Sequence, residues 1–405
     1  MNIVPPMPEN ELERLISLTE FDLDYSNLQD NFKDLTKLAA KVAGTEISMV
    51  NLIDTYTQWS ISSHGLRVDQ MPREDTVCQY TIMETEQFEV RDLLADPRFK
   101  DKLYVKSEPN LRYYLGIPLT TGDGLNIGAL CVLDKSERVM DPEKIELLKI
   151  IASEIVDRIK SVYIIERLKT KVKETNDTKI KVVHDIRGPL SGIIGLAQFV
   201  SEQGDKNKLE DVLQLINMIH KSGNSILELA NEILSIEKKA EKSAPLLQSD
   251  ELNLCTFKEK LEKLYHPQAL NKKIQFSVKT NSVAEKIPFL KNKLLQITGN
   301  LISNAIKFTP ELGSVEVHLD LENKANENML HIVVKDSGAG LDEQTIEDII
   351  SGKTASTNGT KGEQGFGFGL SLVKHLIDSL KGTMDIQSKP GVGSTFNVYL
   401  PQGHL

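Results

Sequence analysis

Apolar residues recur along this chain in three rhythms, and the rhythm changes twice. The first region opens with apolar positions at Leu28, Phe32, Leu35, Leu38, Ala39 and Val42, the three- and four-residue steps of an amphipathic helix. Short apolar runs bounded by turn residues follow at Ile47–Ile53, Phe88–Val90, 116–119 and 127–133, and these predict strands. The polar segment TGDGLN at 121–126 predicts a hairpin turn between the last two. The region reads as mixed α/β up to about residue 140. The Pro- and Asn-rich start predicts a loose tail, assigned to residues 1–15.

The second region begins at Asp141-Pro142, with proline in a helical first turn, where its missing N–H costs nothing. Ile145, Leu148, Ala152, Ile155, Ile159 and Val162 then alternate spacings of three and four, the seam of a coiled coil. The spacing slips near Ile165 and Leu168, a stutter that would locally unwind such a coil. It resumes at Val183, Ile186, Leu190, Ile193, Ala197 and Val200. A polar stretch at 202–208 interrupts it, and a second helix carries Val212, Ile216, Ile219, Ile226, Ala230 and Ile233. Two such helices joined by a short turn form a hairpin with an uncovered apolar stripe. A second copy would cover it, giving a four-helix bundle and a homodimer.

From about residue 250 the chain is α/β again. Helical patterns lie near 257–265, 289–308 and 369–380, and strand patterns at 274–278, 315–319, 330–334 and 396–400. The expected fold class is therefore multidomain α+β. An α/β domain at 16–140 is followed by a coiled-coil helix at 141–175, a dimeric helical hairpin at 176–242 and an α/β sandwich at 250–405.

Composition narrows the function. At 405 residues, 40% hydrophobic and 26% charged, the chain has ordinary globular makeup. A formal net charge of -10 disfavours nucleic acid as a partner. No apolar run reaches the roughly 18 residues needed to cross a bilayer, and the start lacks a signal-peptide pattern. Cys78, Cys131 and Cys255 are too few and too scattered for a disulfide framework and read as reduced core thiols. The expectation is a cytoplasmic protein without a membrane span.

Four clusters carry chemistry. In HDIRGPL, His184 lies just off the apolar stripe, so it projects away from the seam. A neutral imidazole nitrogen is a usable nucleophile near pH 7. Asp185 could orient it, and Pro189 cannot bond the carbonyl of Asp185, so a helix there should bend. In NLISNAIKF, Asn300 and Asn304 are four apart on one helix face, where two amide oxygens suit a hard cation such as Mg²⁺, and Lys307 could reach a phosphate. In DSGAG, Asp336 ends an apolar run and could accept from an exocyclic amine. In GFGFGL, glycines precede a helix whose N-terminal amides favour an anion. The polar segment 351–364 before it reads as a lid. Neither GxGxxG nor GxxxxGK[ST] occurs here, which argues against dinucleotide and P-loop folds. Each cluster alone is also compatible with a polar helix face or an ordinary turn.

Their order is more specific. Residues from about 170 to 402 resemble the dimerisation and catalytic core of two-component histidine kinases, through HDIRGPL, NLISNAIKF, DSGAG, GFGFGL and the closing GVGSTF. Residues of about 20 to 160 resemble a GAF sensor domain, through DTVCQYTI, LADPRF, GIPL and IGALCVLD. The resemblance implies a sensor kinase that uses Mg-ATP to phosphorylate His184, with Asp185 as base and Arg187 in the same catalytic set. It places Mg²⁺ at Asn304, supported by Asn300, and phosphate at Lys307, with Phe308 beside the nucleotide. Asp336 would read the adenine amine, with Gly338 and Gly340 lining its pocket. Gly365, Gly367 and Gly369 would let the lid close, and Leu370 and Thr395 complete the ATP-binding set. The phosphoryl group would pass to a receiver domain on a separate response regulator. Gly188 stands where the family often has Thr or Asn, which implies weak phosphatase activity. For the GAF segment no ligand is indicated. Cys78 is followed by Gln79 rather than His, against a covalent bilin, and a purely protein-binding role stays open. The alternative for the whole chain is a signalling scaffold without catalysis.

Overall fold

The structure is a computed structural model. It describes residues 7–25, 28–203, 209–240 and 251–402, apart from 282–283, 286, 288, 292, 325–326 and 352–367. The chain divides into two units, Met1–Ile164 with Asp250–Leu405, and Ile165–Ser249.

The first unit contains two sheets. Its N-terminal part runs α1 (Glu11–Glu20), α2 (Gln29–Ala43), β1 (Ile47–Ile53), β2 (Thr57–His64), β3 (Gln70–Pro72), a 3-10 turn (Arg73–Asp75), α3 (Cys78–Thr81), β4 (Phe88–Val90), α4 (Leu103–Lys106), β5 (Tyr113–Thr120) and β6 (Asn126–Asp134). The strands form an antiparallel sheet in the order β3-β2-β1-β6-β5-β4. Alternation along β6 shows why both faces are covered. Leu130 and Val132 join a core with Phe32 and Ala39 of α2, whereas Ala129, Cys131 and Leu133 join one with Cys78, Phe99 and Tyr114. The hairpin expected at 121–126 joins β5 to β6.

α5 (Pro142–Gln203) starts as part of this core. Ile145, Leu148, Ala152, Ile155 and Ile159 are buried within the same cluster as α2 and the sheet. This corrects the coiled-coil reading of that stretch. The three-four spacing is real, but the surface it meets belongs to the same chain. The tail expected at 1–15 is also corrected, because α1 begins at Glu11 and Leu15 is fully buried. Cys78 and Cys131 are buried with sulfurs 4.0 Å apart, both receiving the Asn51 amide, but Cys255 is exposed rather than a core thiol.

The C-terminal part runs β7 (Glu251–Leu252), α7 (Leu254–Asn271), β8 (Gln275–Thr280), β9 (Phe289–Leu290), α8 (Leu294–Phe308), β10 (Ser314–Lys324), β11 (Glu327–Asp336), α9 (Glu343–Ile350), α10 (Phe368–Ser379), β12 (Thr383–Lys389) and β13 (Gly393–Gln402). The order β12-β13-β11-β10-β8 has one parallel pair, β10 with β8. Residues of α7, α8 and α10 form a single core with the sheet through Phe257, Ile297, Leu301, Leu372, Val317 and Ile332. The single helix expected at 289–308 is instead β9 followed by α8, the break falling at Lys293 with φ 58°.

The second unit consists of the rest of α5 and α6 (Leu209–Ala240). Helix α5 runs on through Pro189. Among the described side chains of this unit none is buried, and Leu168, Val172, Ile194, Phe199, Ile216 and Leu227 are each about half exposed or more.

Candidate nucleotide site and phosphoacceptor helix

The C-terminal end of α8 and the end of β11 carry the candidate site. Helix α8 is buried on nearly all sides, which sequesters polar groups that its pattern alone would leave wet. Asn300, Asn304 and Lys307 are 4%, 4% and 7% exposed. Asn300 Nδ2 donates to the Gln296 carbonyl at 2.9 Å, so that amide is spent on its own helix. Asn304 differs: its Nδ2 and Oδ1 are both buried without a hydrogen-bond partner. Such a group costs free energy unless something completes it. A buried amide oxygen of this kind fits a hard cation. Lys307 Nζ lies over the Phe308 ring at 5.6 Å, and Lys272 Nζ donates to the Lys307 carbonyl.

Asp336 ends β11. Its Oδ1 accepts from Gly338 N at 2.7 Å and from Ser394 N at 3.3 Å. Burial pushes its pKa up, and those two amides oppose the rise. With both amides on Oδ1, Oδ2 is the oxygen free to accept from a ligand amine. The following loop is tied down twice: Ala339 N donates to the Phe308 carbonyl at 3.1 Å, and Gly391 N to the Ala339 carbonyl at 2.7 Å. Gly340 has φ +70°, and a Cβ there would stand 2.0 Å from the Lys389 carbonyl oxygen. Only glycine allows this approach.

The structure thus gathers Phe308, Asp336, Gly338 and Gly340, with Thr395 next to Ser394 on β13. Asn304, Lys307 and Gly369 meet around one further residue, Tyr56, from the β1–β2 turn. Lys307 Nζ is 5.0 Å from its ring centroid, and a Cβ on Gly369 would stand 2.7 Å from its hydroxyl. Leu370 is partly buried in the first turn of α10. A cavity of about 380 Å³ opens beside this point, lined by Tyr56, Gln70, Arg73, Lys272, Ser303 and Lys307 among others. Gly365, Gly367 and the lid at 352–364 lie outside the described residues. His184 and Asp185 have helical backbone within α5, and their side chains lie outside the described set; Arg187 is exposed. The sequence reading missed Tyr56, Lys272 and Ser394. The Ser394 amide is foreshadowed by the closing GVGSTF motif, whereas no pattern in the sequence marks the other two.

Two segments match known family models. Residues 181–242 match the His Kinase A (phospho-acceptor) domain. Residues 290–404 match the Histidine kinase-, DNA gyrase B-, and HSP90-like ATPase. The first holds His184 and the second holds Asn300, Asn304, Asp336 and the glycine motifs. Autoinducer 2 sensor kinase/phosphatase LuxQ of Vibrio vulnificus is 34% identical over 234 residues, 56% of this chain and 27% of that protein. Cyclic di-GMP phosphodiesterase PA2567 of Pseudomonas aeruginosa is 39% identical over 134 residues, 33% of this chain and 23% of that protein. The chain therefore spans about a quarter of the length of these curated relatives. The solved histidine kinase ThkA, in complex with response regulator protein TrrA, is 19% identical, with 72% of this chain and 75% of that one covered and a TM-score of 0.31. Among the described residues no helix is long and apolar enough to cross a membrane.

Proposed function

We propose that this chain is a sensor histidine kinase. It binds Mg-ATP at the end of α8, phosphorylates His184 and passes the phosphoryl group to an aspartate in the receiver domain of a separate response regulator. The observation that carries the reading is the buried, partnerless amide of Asn304 on the same helix as Lys307, in a segment matching the histidine kinase-, DNA gyrase B- and HSP90-like ATPase and following a segment matching a phosphoacceptor domain.

In this reading Asp336 Oδ2 accepts from the adenine amine, and Gly338 and Gly340 let the base lie close to the backbone. Asn304 holds the cation, and Lys307 contacts phosphate. Mg²⁺, when bound, neutralises triphosphate charge. Asp185 orients the His184 ring and takes its proton, and Arg187 completes that set. Little covalent work is asked of the protein, so positioning and charge supply most of the rate. The uncovered apolar side chains of α5 and α6 support a homodimeric four-helix bundle, and the six-stranded sheet domain supports a GAF-type sensor; the kinase is assigned to the cytoplasm as part of this proposal.

The test is incubation with Mg²⁺ and γ-labelled ATP. Acid-labile label that leaves the chain when a cognate receiver domain is added is the expected result. ATP binding with no label would favour a signalling scaffold instead.

A further inference from the structure

The β1–β2 turn belongs to the sensor-like domain, yet Tyr56 at its tip lies in the candidate nucleotide site. Its phenol packs against the backbone of Gly369, in the first turn of α10, and under the Lys307 ammonium. Burial pushes the phenol pKa up, and the Asn304 amide beside it opposes that shift without forming a well-shaped hydrogen bond. Helix N-terminal turn, buried amide and lysine are the three elements that would otherwise hold a triphosphate and its cation.

We propose that Tyr56 is an autoinhibitory plug: this hairpin tip and Mg-ATP compete for the space between Asn304, Lys307 and Gly369. The inference rests on the reading of that space as the nucleotide site.

The hairpin is built to be held there. Asp54 N bonds the Thr57 carbonyl at 2.9 Å, closing the turn, and Arg73 N bonds the Tyr56 carbonyl at 2.9 Å. Arg14 Nη1 of α1 donates to the Ile53 carbonyl at 2.7 Å and Arg73 Nη1 to the Asp54 carbonyl at 3.2 Å, fixing the base of the turn. Around the tip the two domains share a real interface. Trp59 is 3% exposed, stacked on Tyr25 and edge-on to Tyr265 of α7. Leu15 and Trp59 join the core of the C-terminal domain. Gln70 Nε2 donates to the Leu264 carbonyl at 2.8 Å, and Gln268 Nε2 to Gln70 Oε1 at 2.7 Å. The plug itself fits less well, because it leaves the Asn304 amide unsatisfied. A poorly bonded tip suits a block that a better ligand can displace, and because the turn is tied to its own domain by Arg14, Arg73 and the Asp54–Thr57 bond, displacing the tip moves β2 with it and loosens the Trp59 contacts.

Full-length wild type, Tyr56→Ser and Tyr56→Phe should be compared for equilibrium Mg-ATP binding, with circular dichroism as the folding check. Tyr56→Ser should bind about tenfold more tightly or better, because a closed state lowers apparent affinity by the open fraction. Tyr56→Phe keeps the ring and should stay within about threefold of wild type. Folded Tyr56→Ser with wild-type affinity overturns the proposal. Should Tyr56→Ser fail to fold, wild type alone decides. Trp59 is the only tryptophan and sits in the interface, so saturating Mg-ATP should make its emission more accessible to acrylamide. Unchanged quenching at saturation overturns the proposal. No Mg-ATP binding by any variant overturns the nucleotide-site reading, and the plug falls with it.

Discussion

Replacing Glu11 by Gln removes a carboxylate paired with two guanidinium groups, Arg14 and Arg73, each 1% exposed. Glu11 Oε1 and Oε2 accept from Arg14 Nη2 and Nε, each at 2.8 Å, and Oε1 also accepts from Arg73 Nη1. Burial alone would raise the carboxyl, but the two arginines outweigh it and hold it from 4.5 down to about 2. That depression corresponds to ~3 kcal/mol at neutral pH. Breaking a buried ion pair while leaving its partner charged costs about 3–5 kcal/mol, so the two routes agree. Glu11→Gln should therefore lose about 3 kcal/mol in urea unfolding followed by Trp59 emission, since Trp59 lies on β2 just beyond the clamped turn. The sign with pH follows from the depressed carboxyl. Its contribution is complete above pH 4.5 and is lost as pH falls toward about 2. Wild type should weaken across that window, and the variant should weaken less. A variant within about 1 kcal/mol of wild type at neutral pH, with the same acid profile, would refute the claim that this triad clamps α1 to the hairpin.

Asp336→Asn should weaken ATP binding by roughly 10- to 100-fold, the cost of spoiling one buried hydrogen-bond acceptor, and should reduce preference for ATP over GTP in equilibrium titration; unchanged preference would remove Asp336 from the base pocket. Gly340→Ala places a Cβ against the Lys389 carbonyl at positive φ and should cost at least about 2 kcal/mol. Thermal unfolding followed by circular dichroism would show it, and an unshifted transition would mean the loop relaxes freely. Adding the chain to a phosphorylated receiver domain should leave the phosphate lifetime nearly unchanged, because Gly188 has no side chain to place a water; strong acceleration would contradict this.

Local patterns were legible where partner and pattern sit together in sequence. β1 was read at its observed bounds because an apolar run lies between turn signals. The segments 300–308 and 336–340 can be placed from sequence because one helix and one strand end carry them. β2 was missed because Gln58 and Ser62 interrupt its apolar run, although both are buried in the fold. The start of helix α1 falls in the expected tail because that expectation follows the Pro- and Asn-rich start, and only the fold supplies Arg73 as the third member beside Glu11 and Arg14. The stripe from Ile145 to Ile159 shows the same limit from the other side: spacing reveals an apolar face but not which surface covers it. Tyr56 is the extreme case, since its neighbours lie in another domain far along the chain.

The central claim is that His184 receives the γ-phosphate of ATP bound at Asn304 and Asp336. The most direct test compares wild type with His184→Ala in γ-labelled Mg-ATP, measuring ATP binding and covalent label on the same samples. The account predicts unchanged ATP binding and complete loss of acid-labile label in the variant. Label that persists in His184→Ala would contradict it.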